Sequence, residues 1–350
     1  KALRRAILIV LTILLTTAAE ASSEDAWRAD VVRLLHDGRF VEAEEAADRA
    51  GERVRGPAPA FFRALAGYWR LLYDSDDAGL QADFEARLGR AIREAEALVE
   101  TSPEDPEGRL FLGTSQLFLA ELRARQRHPF AAAREFRRAR GALERALSLD
   151  PAAADARFGL GTLEVVAGRA PTLARGIASL FGVSGNSEVG LEHLAVASRD
   201  GKILALESAI TLLTVHSNRR APDYSAAERG ARDLAARSSS LVAIDAAARV
   251  LLSVGDPEGA ARLLDAALER LRDAPLADRS VTATLRFARA RTRLALFRPD
   301  LALEDLRRLA AVPGPLPRSA REDSAALLRA AAAAGAPPPW LGDLASRPGT

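Results

Sequence analysis

Four histidines, His36, His128, His193 and His216, are the first candidates for metal or acid–base chemistry. A helical zinc site needs a second ligand about one turn away, as in His-Glu-x-x-His. None of the four has one, although Glu192 precedes His193. Each therefore reads as a surface or packing residue, and no metal set is expected. Gly182-Val183-Ser184-Gly185-Asn186 approaches Gly-x-Ser-x-Gly but ends in Asn. No strand precedes it, so Ser184 lacks the strand-to-helix turn that lifts a nucleophile. Gly159-Leu160-Gly161 lacks the third glycine of a dinucleotide fingerprint, and no Gly-Lys-Ser/Thr phosphate loop occurs. The chain has no Cys, which excludes disulfides and thiolate chemistry. Neighbouring carboxylates such as Glu44 and Glu45 read as solvated helix faces. No catalytic residue and no cofactor is expected, so the chain reads as a non-enzyme.

The remaining chemistry is ionic. Arg123, Arg125, Arg127, Arg134, Arg137, Arg138 and Arg140 crowd one segment. They could meet an acidic peptide, an anionic lipid or a polysaccharide. The plainer reading is a solvated face paired with nearby acids. Only Phe130 and Phe136 interleave them, so a base-stacking platform is not indicated. Across 350 residues the net charge is +2, which gives no reason to expect nucleic-acid binding.

The elements that would carry these residues are helical. Ala, Leu and Arg dominate, and all favour helices. Lys1, Arg4 and Arg5 precede an apolar run from Ala6 to Leu15, and Ala19-Glu20-Ala21 fits a small-x-small cleavage site. This is the layout of a secretory signal peptide over 1–21, with an uncleaved N-terminal membrane anchor as the alternative. The apolar run is shorter than a spanning helix needs. The rest is expected to be exported, to the periplasm or cell envelope, with possible proximity to the inner membrane. With no Met in the chain, Lys1 is not expected to be the natural start.

From residue 22 helix-like runs alternate with short breaks. Asp105-Pro106, Asp150-Pro151 and Asp256-Pro257 each offer Asp as an N-cap and Pro at the first helical position. "RLFLGTSQL" from Arg109 and "RFGLGTLEV" from Arg157 share Arg-x-x-Leu-Gly-Thr. Gly in a helix interior costs about 1 kcal/mol relative to Ala, so Gly113 and Gly161 are expected to return that cost through close helix packing. Gly159 has no assigned role at this level.

"ALERALSLDPAAADARFGLG" from Ala142 resembles a repeat junction of the tetratricopeptide repeat (TPR) family, with Ala146, Pro151, Leu160 and Gly161 at signature places. Partial matches carry Trp27, Gly38, Ala43 and Ala50; Tyr224 and Ala227; Ala248, Gly255, Ala260, Leu264 and Ala267; and Ala302 and Leu306. The resemblance implies an all-α fold, a right-handed α-solenoid of six or seven TPR-like hairpins over 22–335. It also marks an insertion at about 170–188. There Leu173, Ile177, Leu180 and Phe181 form an apolar stripe that would pack across the solenoid or meet a partner. A Pro-rich tail at 336–350 would dock Trp340 and Leu341 as a cap.

In that family the concave face of first helices commonly binds a peptide or helix. The matched units place Leu110, Thr114, Leu117, Phe118, Phe158, Thr162, Val165, Val166, Asp245 and Arg249 there. The resemblance thus implies a non-catalytic scaffold binding protein partners in the cell envelope. The alternatives are an accessory or enzyme of cell-wall or polysaccharide metabolism, and a membrane-anchored envelope assembly factor.

Overall fold

The computed structural model describes residues 26–310, apart from 75–76, 170–171, 183, 219–221 and 274–276. The expected leader over 1–21, the repeat region after 310 and the tail at 336–350 lie outside the described residues.

Among the described residues there are fifteen helices and no strand. They pack as neighbouring pairs. A helix over residues 26–36 (α1) pairs with α2 (Phe40–Gly51), and α3 (Ala58–Tyr73) pairs with α4 (Ala78–Thr101). Next come α5 (Pro106–Arg125) with α6 (Pro129–Leu149), and α7 (Ala154–Arg169) with α9 (Ser187–Asp200). The short α8 (Thr172–Leu180) is inserted between the last two. The described row continues with α10 (Ala205–His216) and α11 (Tyr224–Arg237), α12 (Leu241–Ser253) and α13 (Pro257–Asp273), and α14 (Arg279–Ala295) and α15 (Pro299–Ala310). From α3 onward, each first helix of a pair also touches the next first helix.

Four of the hairpin turns share one device. Gly38, Arg127, Gly255 and Phe297 each have positive φ. The following N–H reaches back five residues: Arg39 to Leu34, His128 to Arg123, Asp256 to Leu251 and Arg298 to Arg293. This is the Schellman closure, which satisfies the last carbonyls of a helix. Two of the four residues are not glycine, and so this repeat is hidden in the sequence.

Asp105 and Asp256 cap as expected, accepting from the Gly108 and Gly259 N–H groups. Asp150 does not. Its carboxylate accepts from Ala152, a tight turn follows, and α7 begins only at Ala154. Pro151 therefore lies in a turn rather than at a first helical position.

Close packing explains the glycines. Leu143 of α6 is fully buried, and it fills the space a Cβ would need at both Gly113 and Gly159. A Cβ on Gly113 would lie 2.7 Å from the Leu143 Cγ, and one on Gly159 would lie 2.5 Å from its Cδ1. Gly159 thus receives the same leucine from the other side. Gly161 faces Gly190 across the α7–α9 crossing, where an added Cβ would lie 2.7 Å from the Gly190 carbonyl oxygen. Small residues fill the matching role on the second helices, with Ala43, Ala146, Ala227, Ala260, Ala267 and Ala302 all buried.

Among the described residues the row of hairpins curls until the start of α14 meets the end of α1. The Asp278 N–H, at the start of α14, donates to the Gly38 carbonyl at the end of α1, at 2.7 Å. The Asp278 carboxyl accepts from the backbone N–H groups of Phe40 and Val41, and burial pushes it up to about 6. It thus serves the first turn of α2, whose own preceding residue, Arg39, makes no side-chain cap. Val281 packs on Gly38. The C-terminal end of α3 likewise meets the N-terminal ends of α10 and α12.

Replacing Gly161 by Leu should destabilise the chain by roughly 3 kcal/mol, because backbone rather than a movable side chain stands in the way. Gly141→Ala, with nothing within 4 Å of the new Cβ, should instead stabilise by about 0.5–1 kcal/mol. Urea denaturation of both variants checks the pair; equal midpoints would refute the packing argument.

Candidate functional site

The inner face is built from first helices, and α3 fills most of it. Its segment Gly67-Tyr68-Trp69-Arg70-Leu71-Leu72-Tyr73 puts three aromatics within six residues of a chain that is only 5% aromatic. Tyr68 stacks on Phe118 of α5 at 4.3 Å between centroids, and Phe118 meets Phe158 of α7 at 6.3 Å. Trp69 and Tyr73 pack on Phe40 of α2. Buried indole and phenol groups need polar partners. Trp69 Nε1 donates to Glu207 Oε1 of α10 at 2.9 Å, and the Tyr73 hydroxyl to Asp245 Oδ2 of α12 at 3.3 Å.

This filling decides where the ten expected groove residues stand. Leu110, Thr114, Leu117, Phe118, Phe158, Thr162, Val165 and Asp245 are all buried. Those of α5 and α7 come together as expected, but as an interior under Tyr68 rather than as an open wall. Val166, next to the buried Val165 in the last two turns of α7, is exposed. Arg249 is half exposed and binds Asp245 at 2.8 Å.

The acids of this interior are chemically unusual. Burial pushes the Glu207 carboxyl up to about 8, against the opposing bond from Trp69. Its second oxygen has no hydrogen-bond partner. Asp245 is also raised by burial, opposed by Arg249 and Tyr73, and it holds the Arg249 guanidinium above its usual range. Glu121, near Tyr68, is pushed up to about 7 by burial. Glu207 is therefore a neutral acid at physiological pH. Asp155 plays a different part: its carboxylate accepts from the Lys202, Ile203 and Leu204 N–H groups and so caps α10 from α7.

The inner face opens beyond Asp245. A cleft of about 340 Å³ lies between α12 and α14, closed at one end by the start of α11. Arg249 and Arg291 line it, with Phe287 and Ala288 as apolar wall and Tyr224 at the rim. The Thr284 hydroxyl is buried there without a hydrogen-bond partner. Among the described residues no carboxylate lines this cleft. Two guanidiniums, a free hydroxyl and an apolar wall suit the binding of an anionic group beside an apolar one. A larger hollow of about 790 Å³ lies between α2 and α4, where Arg63 pairs with Asp48 and Arg90 with Glu94.

The other motifs take structural parts. His36 is lowered to about 4 by burial, and His193 and His216 are lowered by burial as well. Among the described residues no group of three or more His, Asp or Glu could hold a metal ion. Asn186, where the serine motif would need Gly, caps α9 by accepting from Glu188 and Val189. The Arg-rich segment is partly paired, Arg123 with Glu85, Arg140 with Glu164 and Arg145 with Glu104.

The cleft was only partly legible beforehand. Arg249 follows from the repeat match, but Thr284, Phe287 and Arg291 lie in a degenerate unit. No family model matches the chain, and no curated protein matches it.

The Glu207 proton gives a test of this interior. In the unfolded chain the carboxyl loses it near its ordinary value of 4.5, whereas in the folded chain it is kept to about 8. The stability it supplies is complete below the lower value and is lost as pH rises through the upper one. Between about pH 5 and about pH 8.5 the wild type should lose roughly 2–4 kcal/mol more than Glu207→Gln, which keeps an acceptor for Trp69. Urea titrations at both pH values measure this, and parallel pH dependence in the two proteins would rule the buried acid out.

Proposed function

We propose that this protein is a non-catalytic scaffold of the tetratricopeptide kind, a right-handed α-solenoid that holds an acidic, extended segment of a partner protein in the cleft between α12 and α14. The observation that carries this reading is the joint presence of Arg249, Arg291 and the unpartnered Thr284 hydroxyl beside the apolar wall of Phe287. Fold resemblance alone names no ligand; these side chains specify one by charge and shape. An Asp or Glu side chain, or a terminal carboxylate, would accept from the guanidiniums while a neighbouring apolar residue covers Phe287 and Ala288. Among the described residues the lining carries two guanidiniums and no carboxylate, which favours binding over acid–base chemistry there.

The repeat-like pairing of helices and the two Gly-centred crossings support the tetratricopeptide assignment. Placement in the periplasm or cell envelope rests on the leader-like pattern of residues 1–21.

Fluorescent heptapeptides bearing Asp or Glu, compared with their Asn or Gln counterparts, test the proposal. The acidic set should bind, and Arg291→Glu should weaken that binding about tenfold or more, with circular dichroism used to confirm that the variant is folded. Arg249 is a poorer choice, because its removal would strand the buried Asp245. Equal binding of acidic and amide peptides would refute the reading.

A further inference from the structure

All eight large apolar side chains that are exposed among the described residues, from Val41 to Phe297, lie at one edge of the row. Each is within one helical turn of the link between a first helix and its second, or within the α8 insertion. The opposite edge, where second helices lead to the next pair, carries none among the described residues. Singly exposed apolar residues need no explanation, but one-sided segregation does.

The edge is richest around α8. Leu180, at the end of α8, is 77% exposed, and Phe130, at the start of α6, is 59% exposed. Phe181 leans on Phe130 at 6.4 Å. Val166 and Val189 are exposed at the adjoining ends of α7 and α9. The expectation that the insertion packs across the row thus fails for Leu180.

Cations surround this patch. Arg127, Arg137 and Arg175 are exposed and have no ion-pair partner among the described residues. Arg134 and Arg138 share the single carboxylate of Glu135, which leaves one positive charge in excess. From Arg123 to Arg145 there are eight arginines and two glutamates, and three of the arginines, Arg123, Arg140 and Arg145, pair with acids elsewhere.

We propose that this edge, at the ends of the third and fourth hairpins, is a docking face for an anionic lipid bilayer. Charge complementarity selects the occupant. Its apolar side chains are exposed at helix ends, and exposed arginines accompany them in α6 and α8. A peptide ligand needs a groove to bury it, whereas a bilayer accepts projecting apolar tips and pairs flanking arginines with its phosphates. No described helix is long and apolar enough to cross a membrane; the proposed contact is made by exposed side chains at helix ends. This face is distinct from the α12–α14 cleft and does not depend on it.

The absence of cysteine allows a local test on the full chain. A single cysteine at Leu180, labelled with an environment-sensitive nitrobenzoxadiazole dye, reports contact at that point even if another segment also reaches lipid. Thr101→Cys, exposed at the opposite edge, is the control. With vesicles rich in phosphatidylglycerol the Leu180 probe should brighten and shift to the blue, and the Thr101 probe should not. Phosphatidylcholine vesicles should give little response. Arg137→Glu with Arg175→Glu should weaken the response to anionic vesicles about tenfold or more. The proposal is overturned by a silent Leu180 probe, by equal responses at both sites, or by an equal response at Leu180 to polyglutamate without lipid.

Discussion

The indole N–H of Trp69 donates to a carboxyl group 138 residues further along the chain, and the course of the whole row depends on that contact. Helical hairpins satisfy their own backbone and bury their own small-residue seams. Nothing local tells a row of them how far to curl. A buried indole does, because its N–H must find an acceptor, and the acceptor lies on α10. Tyr73 repeats the demand one turn later, with Asp245 of α12 as its partner. Together they bring the end of α3 against the starts of two later first helices. That placement covers the inner face of α5 and α7, and beyond it a cleft lies between α12 and α14.

Two further carboxylates tie local structure to the same curl. The first N–H groups of a helix have no partner within it. Asp155 of α7 supplies three for the segment leading into α10, and Asp278 serves the start of α2 from the far end of the row. Helix formation at those points is therefore coupled to tertiary closure. The chemistry is consistent with a dry interior, where a neutral Glu207 is a better acceptor for an indole than a charged one that must shed its water.

The pairing of helices was legible in the sequence because its causes are local. Asp105-Pro106 and Asp256-Pro257 mark helix starts by capping, and the Leu-Gly-Thr repeats mark the tight crossings. Gly159 was not legible, since its reason is Leu143, a residue of the preceding helix that also fills the space at Gly113. Arg127 and Phe297 hid two copies of a turn that Gly38 and Gly255 announce openly. The inner face was misjudged for a different cause. Matched positions such as Leu117 and Phe118 do point inward, but only the Tyr68-Trp69-Tyr73 cluster shows that the inside is filled. The arginine cleft needed α12 and α14 side by side, which no single segment displays.

The central claim is that the row closes on itself, and a distance tests it most directly. In a chain without cysteine, Asp37→Cys and Arg279→Cys introduce two thiols beside Gly38 and Asp278, whose backbone groups are bonded at 2.7 Å. A short bismaleimide should join them within one chain in high yield and give a compact, fast-migrating band under denaturing conditions. An open row, with neighbouring helices spaced about 10 Å apart, would hold these ends tens of ångströms from each other. Failure to cross-link in a folded, monomeric protein would contradict the account.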